Sequence, residues 1–591
     1  MGVPGFFAWL LRNKNKLGAN NLILNNICKI KWLMLDTNCL LHPCVASILE
    51  KYKNNELKID LTKDLREQLE FYIWEHLENY INDMLEKVNP EYLYVAIDGV
   101  APMGKILQQR QRRYRFLFDK QIKLQNDKSN INYQIKNRIF EPTIPVSSIE
   151  LTPGTDFMER INKKMEKYME ELGKKGLKYI YSSYHEEGEG EHKILQYIKK
   201  NVEQDDLIII YGLDADLLFL SLSVGTGYKN LYIMREKQVF NGKEVNTNEF
   251  PEYNYVQIEK LKKLIENLNI STNDFILICY LIGNDFLPCL LTTDVKRGGI
   301  DKILDAFNAV KEKYSLNKHD SNNKIISHLV IKRDNKYILN HKLLKQLFFE
   351  LVWTEKHIWK NINRDKFINQ KDLNSSEIEA LKTKRQDDKK IYLEQFVKGV
   401  GNNTDFLEKI EFSSSKEYYE YYLGLTCIDM DKNIIKKMVN DYISGIEWCI
   451  GYYLEECKSW SWGYNFMIAP TITDIINYYP KEIINNKEDK EIKELRSLNP
   501  VEQLILAIPP ETYKYVIEEE IIEKIRKEKS IGYMFPITYD LDVNKEHIYW
   551  KCQVKIPIVE YKEFISGIKR IEINNEKNKI YKYITNIMIP Q

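Results

Sequence analysis

The sequence predicts an α/β protein: a parallel sheet with flanking helices in the first half, followed by a mainly helical second part. Three observations carry this. Segments 31–35, 92–97 and 207–211 are short, almost uninterrupted apolar runs, as expected of strands buried on both faces. Between the first two, Leu65, Leu69, Ile73, Leu77, Ile81, Leu85 and Val88 recur at helical spacing. Strand, helix, strand in that order is the unit that lays two strands parallel. Glycines then punctuate the connections, at Gly99, Gly104, Gly154, Gly188, Gly190 and Gly212.

A chain of 591 residues is too long for one ordinary core. The pattern divides it into an α/β unit over 1–310, a polar linker or helical excursion over 311–400, and a mainly helical unit over 401–591. The polar character of the middle segment is strongest at 364–390. Aromatic-rich helical patterns follow at 418–422 and 448–454, and a β-like tail spans 533–557.

Composition narrows the function classes. Lys and Arg number 86 against 85 Asp and Glu, so a generally basic nucleic-acid binder is not indicated and any positive site is local. The nine cysteines are odd in number and lack C-x-x-C spacing, which disfavours a structural zinc site or a disulfide framework and favours a reducing compartment. The N-terminus is apolar first and basic afterwards, the reverse of a secretory signal. Phe6 stands where myristoylation of Gly2 needs Ser or Thr. Apolar runs such as 275–282 are too short to span a bilayer. These features favour a soluble, intracellular protein without a membrane anchor, and the absence of targeting signals favours the cytoplasm.

Each of the three predicted strands ends in an aspartate: Asp36, Asp98 and Asp214. Ligands in an open α/β sheet bind outside the carboxyl ends of the strands, so these carboxylates converge on one edge. Asp216 follows Asp214 by two residues, and Asp285 ends another apolar segment. Glu189 and Glu191 alternate with glycines that let the backbone present acids closely at a helix start. Each Asp alone reads equally well as a turn former or helix cap; the joint pattern is what points to chemistry. Seven like charges in one place call for cations. Oxygen donors without a Cys or His cluster select Mg²⁺ or Mn²⁺, and a two-ion site for phosphodiester hydrolysis is the chemistry that needs such a set.

No acidic residue lies between Asp98 and Asp119. Within that stretch Lys105, Gln109, Arg112 and Arg113 share one helical face. Two guanidiniums with a lysine and an amide suit a terminal phosphate. A solvated basic helix, or a nuclear import signal built on Arg110, Arg112, Arg113 and Arg115, reads the same residues differently.

Several motifs in order along the chain resemble those of Xrn-type 5′→3′ exoribonucleases. They are Met1-Gly-Val-Pro-Gly-Phe-Phe, Leu35-Asp-Thr-Asn-Cys-Leu-Leu-His42, Ala96-Ile-Asp-Gly-Val-Ala-Pro102 and Gln108-Gln-Arg-Gln-Arg-Arg113. Gly188-Glu-Gly-Glu-His-Lys193, Gly212-Leu-Asp-Ala-Asp-Leu-Leu218 and Gly283-Asn-Asp-Phe-Leu-Pro288 continue the series. Ser459-Trp-Ser-Trp462, Ala469-Pro470 and Pro500-Val-Glu-Gln-Leu504 look like the family's second conserved region. The resemblance implies a PIN/flap-endonuclease-like core whose cleft the helical second region closes. It implies Asp36, Asp98, Glu189, Glu191, Asp214, Asp216 and Asp285 as catalytic metal ligands for two Mg²⁺ or Mn²⁺ ions. Lys105, Gln109, Arg112 and Arg113 become a 5′-phosphate pocket, and His42 with Trp460 or Trp462 becomes a base-stacking pair. The implied activity is processive hydrolysis of 5′-monophosphorylated single-stranded RNA in mRNA decay, by a monomer with decapping factors as partners.

Departures from the family pattern are Glu187 in place of a proline and Met103-Gly104 in place of a basic-small pair. The second of these is expected to weaken phosphate binding slightly. The long C-terminal extension of the large members and the zinc knuckle of the nuclear ones are not seen, so the sequence reads as a compact form. Two other readings use the same residues. A flap-type DNA nuclease shares the acidic core but needs a helix-hairpin-helix after the last aspartate, where this chain has Leu287-Pro-Cys-Leu-Leu-Thr-Thr-Asp. A catalytically dead RNA-binding scaffold requires loss of a carboxylate, and all seven are in place.

Overall fold

The computed structural model describes residues 22–27, 29–127, 149–214, 216–224, 227–237, 250–293, 298–316, 328–334, 336–370, 412–423, 432–480, 496–517, 519–542 and 553–571. The opening motif at 1–7 lies outside these.

The expected strands form where the apolar runs stand: Trp32–Asp36, Tyr92–Ala96 and Ile208–Tyr211. With β1 (Ile23–Leu24), β2 (Trp32–Asp36), β3 (Tyr92–Ala96), β4 (Lys178–Ser182), β5 (Ile208–Tyr211), β6 (Leu231–Glu236) and β7 (Tyr253–Gln257), they build one seven-stranded sheet in the order β1-β7-β6-β5-β2-β3-β4. The five strands from β6 to β4 are parallel; β7 and β1 complete one edge antiparallel. The chain builds outward from β2 through β3 to β4, then returns to add β5 on the other side. The crevice between β2 and β5 is therefore the topological switch point, where an open sheet binds its ligand.

Helices cover both faces. On one side α1 (Asn38–Lys53), α2 (Leu65–Val88) and, after α3 (Met103–Asp127), α4 (Asp156–Lys174) pack on a core with Leu33, Leu35, Leu93 and Val95. The leucine and isoleucine stripe of α2 is its buried face, and Asp64 caps the helix by accepting from the Glu67 N–H. On the other side lie α5 (Gly190–Asn201), α6 (Asp216–Val224), α7 (Ile258–Glu266) and α8 (Thr272–Tyr280).

That second core does not stop at the expected boundary near 310. It continues through α9 (Gly299–Leu316), a hairpin of β8 (Val330–Arg333) and β9 (Lys336–Leu339), and α10 (His341–Gln370). It then reaches α11 (Ser415–Leu423), α12 (Lys432–Leu454) and α13 (Ile472–Tyr478). Of the two readings for 311–400, a polar linker or a helical excursion, the described part holds a long helix packed into this core. Leu343, Leu344, Leu347, Phe348 and Leu351 of α10 are buried at helical spacing, so this segment is core. The stretch 371–400 lies outside the described residues.

A third core joins the two halves. Val100, Met103 and Ile106, around the start of α3, pack with Leu504, Ile505 and Leu506 of α14 (Pro500–Ala507). It extends over α15 (Glu519–Lys527), α16 (Lys529–Gly532) and α17 (Tyr561–Ile571). The β-like tail is narrower than expected: Asp540–Asp542 pairs antiparallel with Gln553–Lys555, and Tyr533 lies in the turn after α16.

Candidate active site

Asp36 is the last residue of β2, and α1 starts two residues later. The Asn38 N–H donates to Asp36 Oδ1 (3.3 Å) and the Cys39 thiol to Oδ2 (3.0 Å). Asp98 follows β3 and accepts from Asn38 Nδ2 (2.8 Å) and from the Gly190 N–H (2.6 Å). The last contact requires a glycine: a Cβ at 190 would lie 2.8 Å from Asp36 Oδ1 and 3.3 Å from Asp98 Oδ1. Gly190 thereby lets the start of α5 close on two carboxylates. Glu189 is the N-cap of α5 and Glu191 lies in its first turn. Asp216 opens α6, its N–H donating to Asp214 Oδ1 (3.3 Å).

Lys105, from the first turn of α3, sits among these acids. Its ammonium is 2.6 Å from Glu189 Oε1 and 2.8 Å from Asp285 Oδ2. The structure thus brings all seven expected carboxylates into one electrostatic neighbourhood, linked pairwise through Asp36–Asp98, Asp98–Glu189, Glu191–Asp214 and Asp216–Asp285. Burial first, then Asp98, pushes Asp36 up to about 7. Burial, then Asp285 and Asp214, pushes Asp216 up to about 8. Glu191 also rises, through burial and then Asp214. These three resist ionisation, whereas Asp214 and Asp285 are held below the ordinary carboxylate range against their burial, with Lys105 among the charges that lower them.

Among the described residues no three His, Cys, Asp or Glu side chains already form a chelating group; the acids surround an ammonium instead. The donor set nevertheless fits a divalent cation. Among the described residues Glu191 Oε2 and Asp216 Oδ1 are buried with no hydrogen-bond partner, and every candidate ligand is a hard carboxylate oxygen.

The rest of the predicted basic face continues outward along α3. Gln109 is half-buried, its Oε1 atom enclosed without a partner. Arg112 is exposed, and Arg113 is half-buried with Nη1 likewise unpartnered. Burial and the neighbouring Arg112 lower the Arg113 guanidinium to about 10. Burial disposes of the import-signal reading. Arg110 is 1% exposed, donates Nη1 to the Leu506 carbonyl (2.8 Å) and Nη2 to that of Met534, and stacks on Tyr114 and Phe535. Met103 is buried in the third core, so position 103 contributes packing.

His42, on α1, is exposed at the surface and lies within the fields of Arg112 and Arg113. Partial enclosure of the ring, then the two guanidiniums, lower its imidazole, which favours the neutral ring at pH 7. The two tryptophans differ. The carbonyls of Trp460 and Trp462 accept from the N–H groups of Met103 (2.8 Å) and Gly104 (2.9 Å), stitching their loop to the first turn of α3. The Trp462 ring stacks on Trp448 at 4.7 Å, Trp448 on Tyr452 at 4.8 Å, and Tyr452 on His192 at 4.3 Å. Trp460 is half-buried and has no ring contact among the described residues.

Sequence reasoning missed several participants. His192 and Lys193 are buried. Lys193 donates to the carbonyls of Ile97 (2.9 Å) and Ser183 (2.8 Å), tying the ends of β3 and β4. Asn38 holds Asp98. Two tyrosines of α12 reach the acids, Tyr452 Oη donating to Glu189 Oε2 (2.8 Å) and Tyr453 Oη to Asp216 Oδ2 (3.0 Å). Asn38 stands two residues after a strand-terminal Asp, which is the one local signal for it; nothing local marks the tyrosines.

A parallel sheet with carboxylates at its switch point and a cationic helix face beside them fits a PIN-like nuclease domain. The chain belongs to the XRN family: residues 1–237 match the XRN 5'-3' exonuclease N-terminus, and 266–398 and 350–582 match the Xrn1 helical domain. It is 24% identical to 5'-3' exoribonuclease 1 of Schizosaccharomyces pombe and 25% identical to that of Saccharomyces cerevisiae, each over 96% of this chain. These alignments span 48% and 43% of those relatives, so the chain covers less than half of their length. The Drosophila melanogaster 5'-3' exoribonuclease 2 homolog is 24% identical over 96% of this chain and 71% of its own length. No helix among the described residues is long and apolar enough to cross a membrane.

Proposed function

We propose that this chain is a 5′→3′ exoribonuclease that removes mononucleotides processively from 5′-monophosphorylated single-stranded RNA. The observation that carries the proposal is the continuity of α3. In a little over two turns it runs from Lys105, set among the carboxylates, through the enclosed Gln109 amide to Arg112 and Arg113, which have no ion-pair partner among the described residues. A terminal phosphate held by the outer turns lies next to the acids, so the first phosphodiester is the bond presented for cleavage. The names of the relatives support the same activity and direction.

Asp36, Asp98, Glu189, Glu191, Asp214, Asp216 and Asp285 would hold two Mg²⁺ or Mn²⁺ ions. Bound there, the ions would supply an activated water nucleophile and charge neutralisation at the leaving oxygen. The chain's own residues do the rest. Arg113, partly desolvated, binds the phosphate more strongly than a solvated arginine would, and Arg112 closes its open side. Neutral His42 offers a ring face to the leading bases, and Trp460, whose ring has no partner among the described residues, is the second platform; Trp462 is spent on the internal stack. Lys105 holds Glu189 and Asp285 together until the cations and the phosphate share that charge. The setting we assign is cytoplasmic mRNA decay downstream of decapping.

The test is a time course with Mg²⁺ on one single-stranded RNA carrying 5′-monophosphate, hydroxyl, triphosphate or capped ends. Mononucleotides from the monophosphate form alone are expected. Equal cleavage of all four forms would remove the phosphate pocket. Cleavage of duplex flap DNA in preference would replace the reading with the flap-nuclease one, and stable RNA binding with no product would make the protein a scaffold.

A further inference from the structure

The acids at the sheet edge belong to the first half of the chain, yet two of them are held by the second. Tyr452 and Tyr453 are neighbours near the C-terminal end of α12, about 100° apart around the helix, so their side chains diverge. One hydroxyl reaches Glu189 Oε2 and the other Asp216 Oδ2. In each case the tyrosine takes one carboxylate oxygen and leaves its twin available. Glu189 Oε1 is the oxygen on the Lys105 ammonium, and Asp216 Oδ1 is buried with no hydrogen-bond partner among the described residues.

The rings are fixed before the hydroxyls act. Tyr452 is sandwiched between His192 at 4.3 Å and Trp448 at 4.8 Å, both near-parallel, and Tyr453 packs on Tyr280 at 4.5 Å. Both tyrosines are buried. A hydroxyl so anchored donates from one position, which sets the carboxylate's rotation and therefore where its free oxygen points.

Resting on the metal-ion reading of this site, we infer that Tyr452 and Tyr453 are positioning residues that orient Glu189 and Asp216 toward the divalent cations. The helical part of the chain thus finishes the metal site, beyond closing over it. Loss of a hydroxyl that holds a metal-ligating side chain lowers metal affinity roughly 10- to 100-fold.

Tyr452→Phe and Tyr453→Phe keep the stacked rings and delete only the donors. Mg²⁺ binding to the full chain without RNA, followed by calorimetry, is expected to weaken about tenfold in each variant. The Mg²⁺ concentration for half-maximal RNA cleavage should shift by the same factor, with KM for RNA at saturating Mg²⁺ unchanged. Tyr464→Phe is the control, because Tyr464 is a buried tyrosine of the same core whose hydroxyl donates to the Ile468 carbonyl (2.8 Å), not to an acid. It should lower thermal stability and leave Mg²⁺ affinity alone. Mg²⁺ affinities of the Tyr452 and Tyr453 variants within twofold of the parent, or an equal loss in the Tyr464 variant, would overturn the inference. Absence of Mg²⁺ or Mn²⁺ binding by the parent itself would overturn the metal reading beneath it.

Discussion

Asp214 and Arg112 stand for the two halves of the site, and each makes a separable prediction. Asp214 is a neighbour of Asp36, Glu191 and Asp216 in the acidic cluster. Asp214→Asn removes one charge from that cluster while leaving α3 intact, so cleavage should fall below detection while RNA with a 5′-monophosphate still binds. Single-turnover assays paired with filter binding check this; retained turnover would remove Asp214 from the catalytic set. Arg112→Ala should act on end selection. A charge-assisted hydrogen bond contributes about 1.5–3 kcal/mol, so the preference for monophosphate over hydroxyl ends should drop roughly tenfold or more. An unchanged ratio would place the phosphate elsewhere. At this scale the sequence was most informative where a residue sits on a strand end, because strand runs and parallel order place Asp36, Asp98 and Asp214 without any long-range knowledge. It was silent on Tyr452 and Tyr453, whose segment reads only as an aromatic-rich helix; their partners are more than 230 residues away. Lys105 was legible as a cation on the right face, but its depth among the acids comes from how far the third core draws α3 in.

Individual helices are tied down by buried polar groups that periodicity does not announce. The N-terminus of α13 meets the fully buried Glu355 of α10, which accepts from the Ile472 N–H (2.6 Å) and from the Thr473 hydroxyl (2.8 Å). Burial raises the Glu355 carboxyl to about 6; the bonds from Thr473 and Ile472 oppose the rise, and Asp474 adds to it. Linkage gives the sign. A carboxyl whose folded value lies above its ordinary 4.5 contributes stability that is fully present below about pH 4.5 and is lost as pH rises through about 6. The size is about 2 kcal/mol. Glu355→Gln keeps the shape without the titration, so urea unfolding at pH 4.5 and pH 7 should show the parent losing about 2 kcal/mol relative to the variant. Parallel behaviour of the two would mean that Glu355 does not titrate in the fold. Arg110 ties α3 in the same manner, its guanidinium donating to the carbonyls of Leu506 and Met534. From the sequence it was one arginine of a basic cluster; only the packing of α14 against α3 separates it from Arg112. The helices themselves were legible wherever a stripe of large apolar residues repeats, as in α2. They were not legible in α10, whose polar C-terminal end masked a buried N-terminal half.

The architecture of the whole chain makes the nuclease half dependent on the helical half. One continuous core runs from Met34 and Ile210 of the sheet, through Phe219 and Tyr280, to Tyr442, Trp448 and Ile472 of the helical part. The third core clasps the start of α3 between Val100 and Leu504. Both shared cores are built largely of buried apolar side chains, so separating the halves would expose large apolar surfaces to water. The expected boundary near 310 was drawn where the composition becomes more polar. Composition reports solvent contact and not which elements share a core, and α9 and α10 are amphipathic members of the same interior. A chain ending after Leu316 is therefore expected to lack a cooperative thermal transition, bind a hydrophobic dye, and fail to hold Glu189 and Asp216 in place. Calorimetry and dye fluorescence on residues 1–316 beside the full chain test this. A cooperative transition in the fragment, with Mg²⁺ affinity equal to that of the full chain, would show that the acidic site is self-contained. Cleavage would then need the helical part only to admit and exclude RNA, and the tyrosine contacts would be consequences of closure instead of conditions for it.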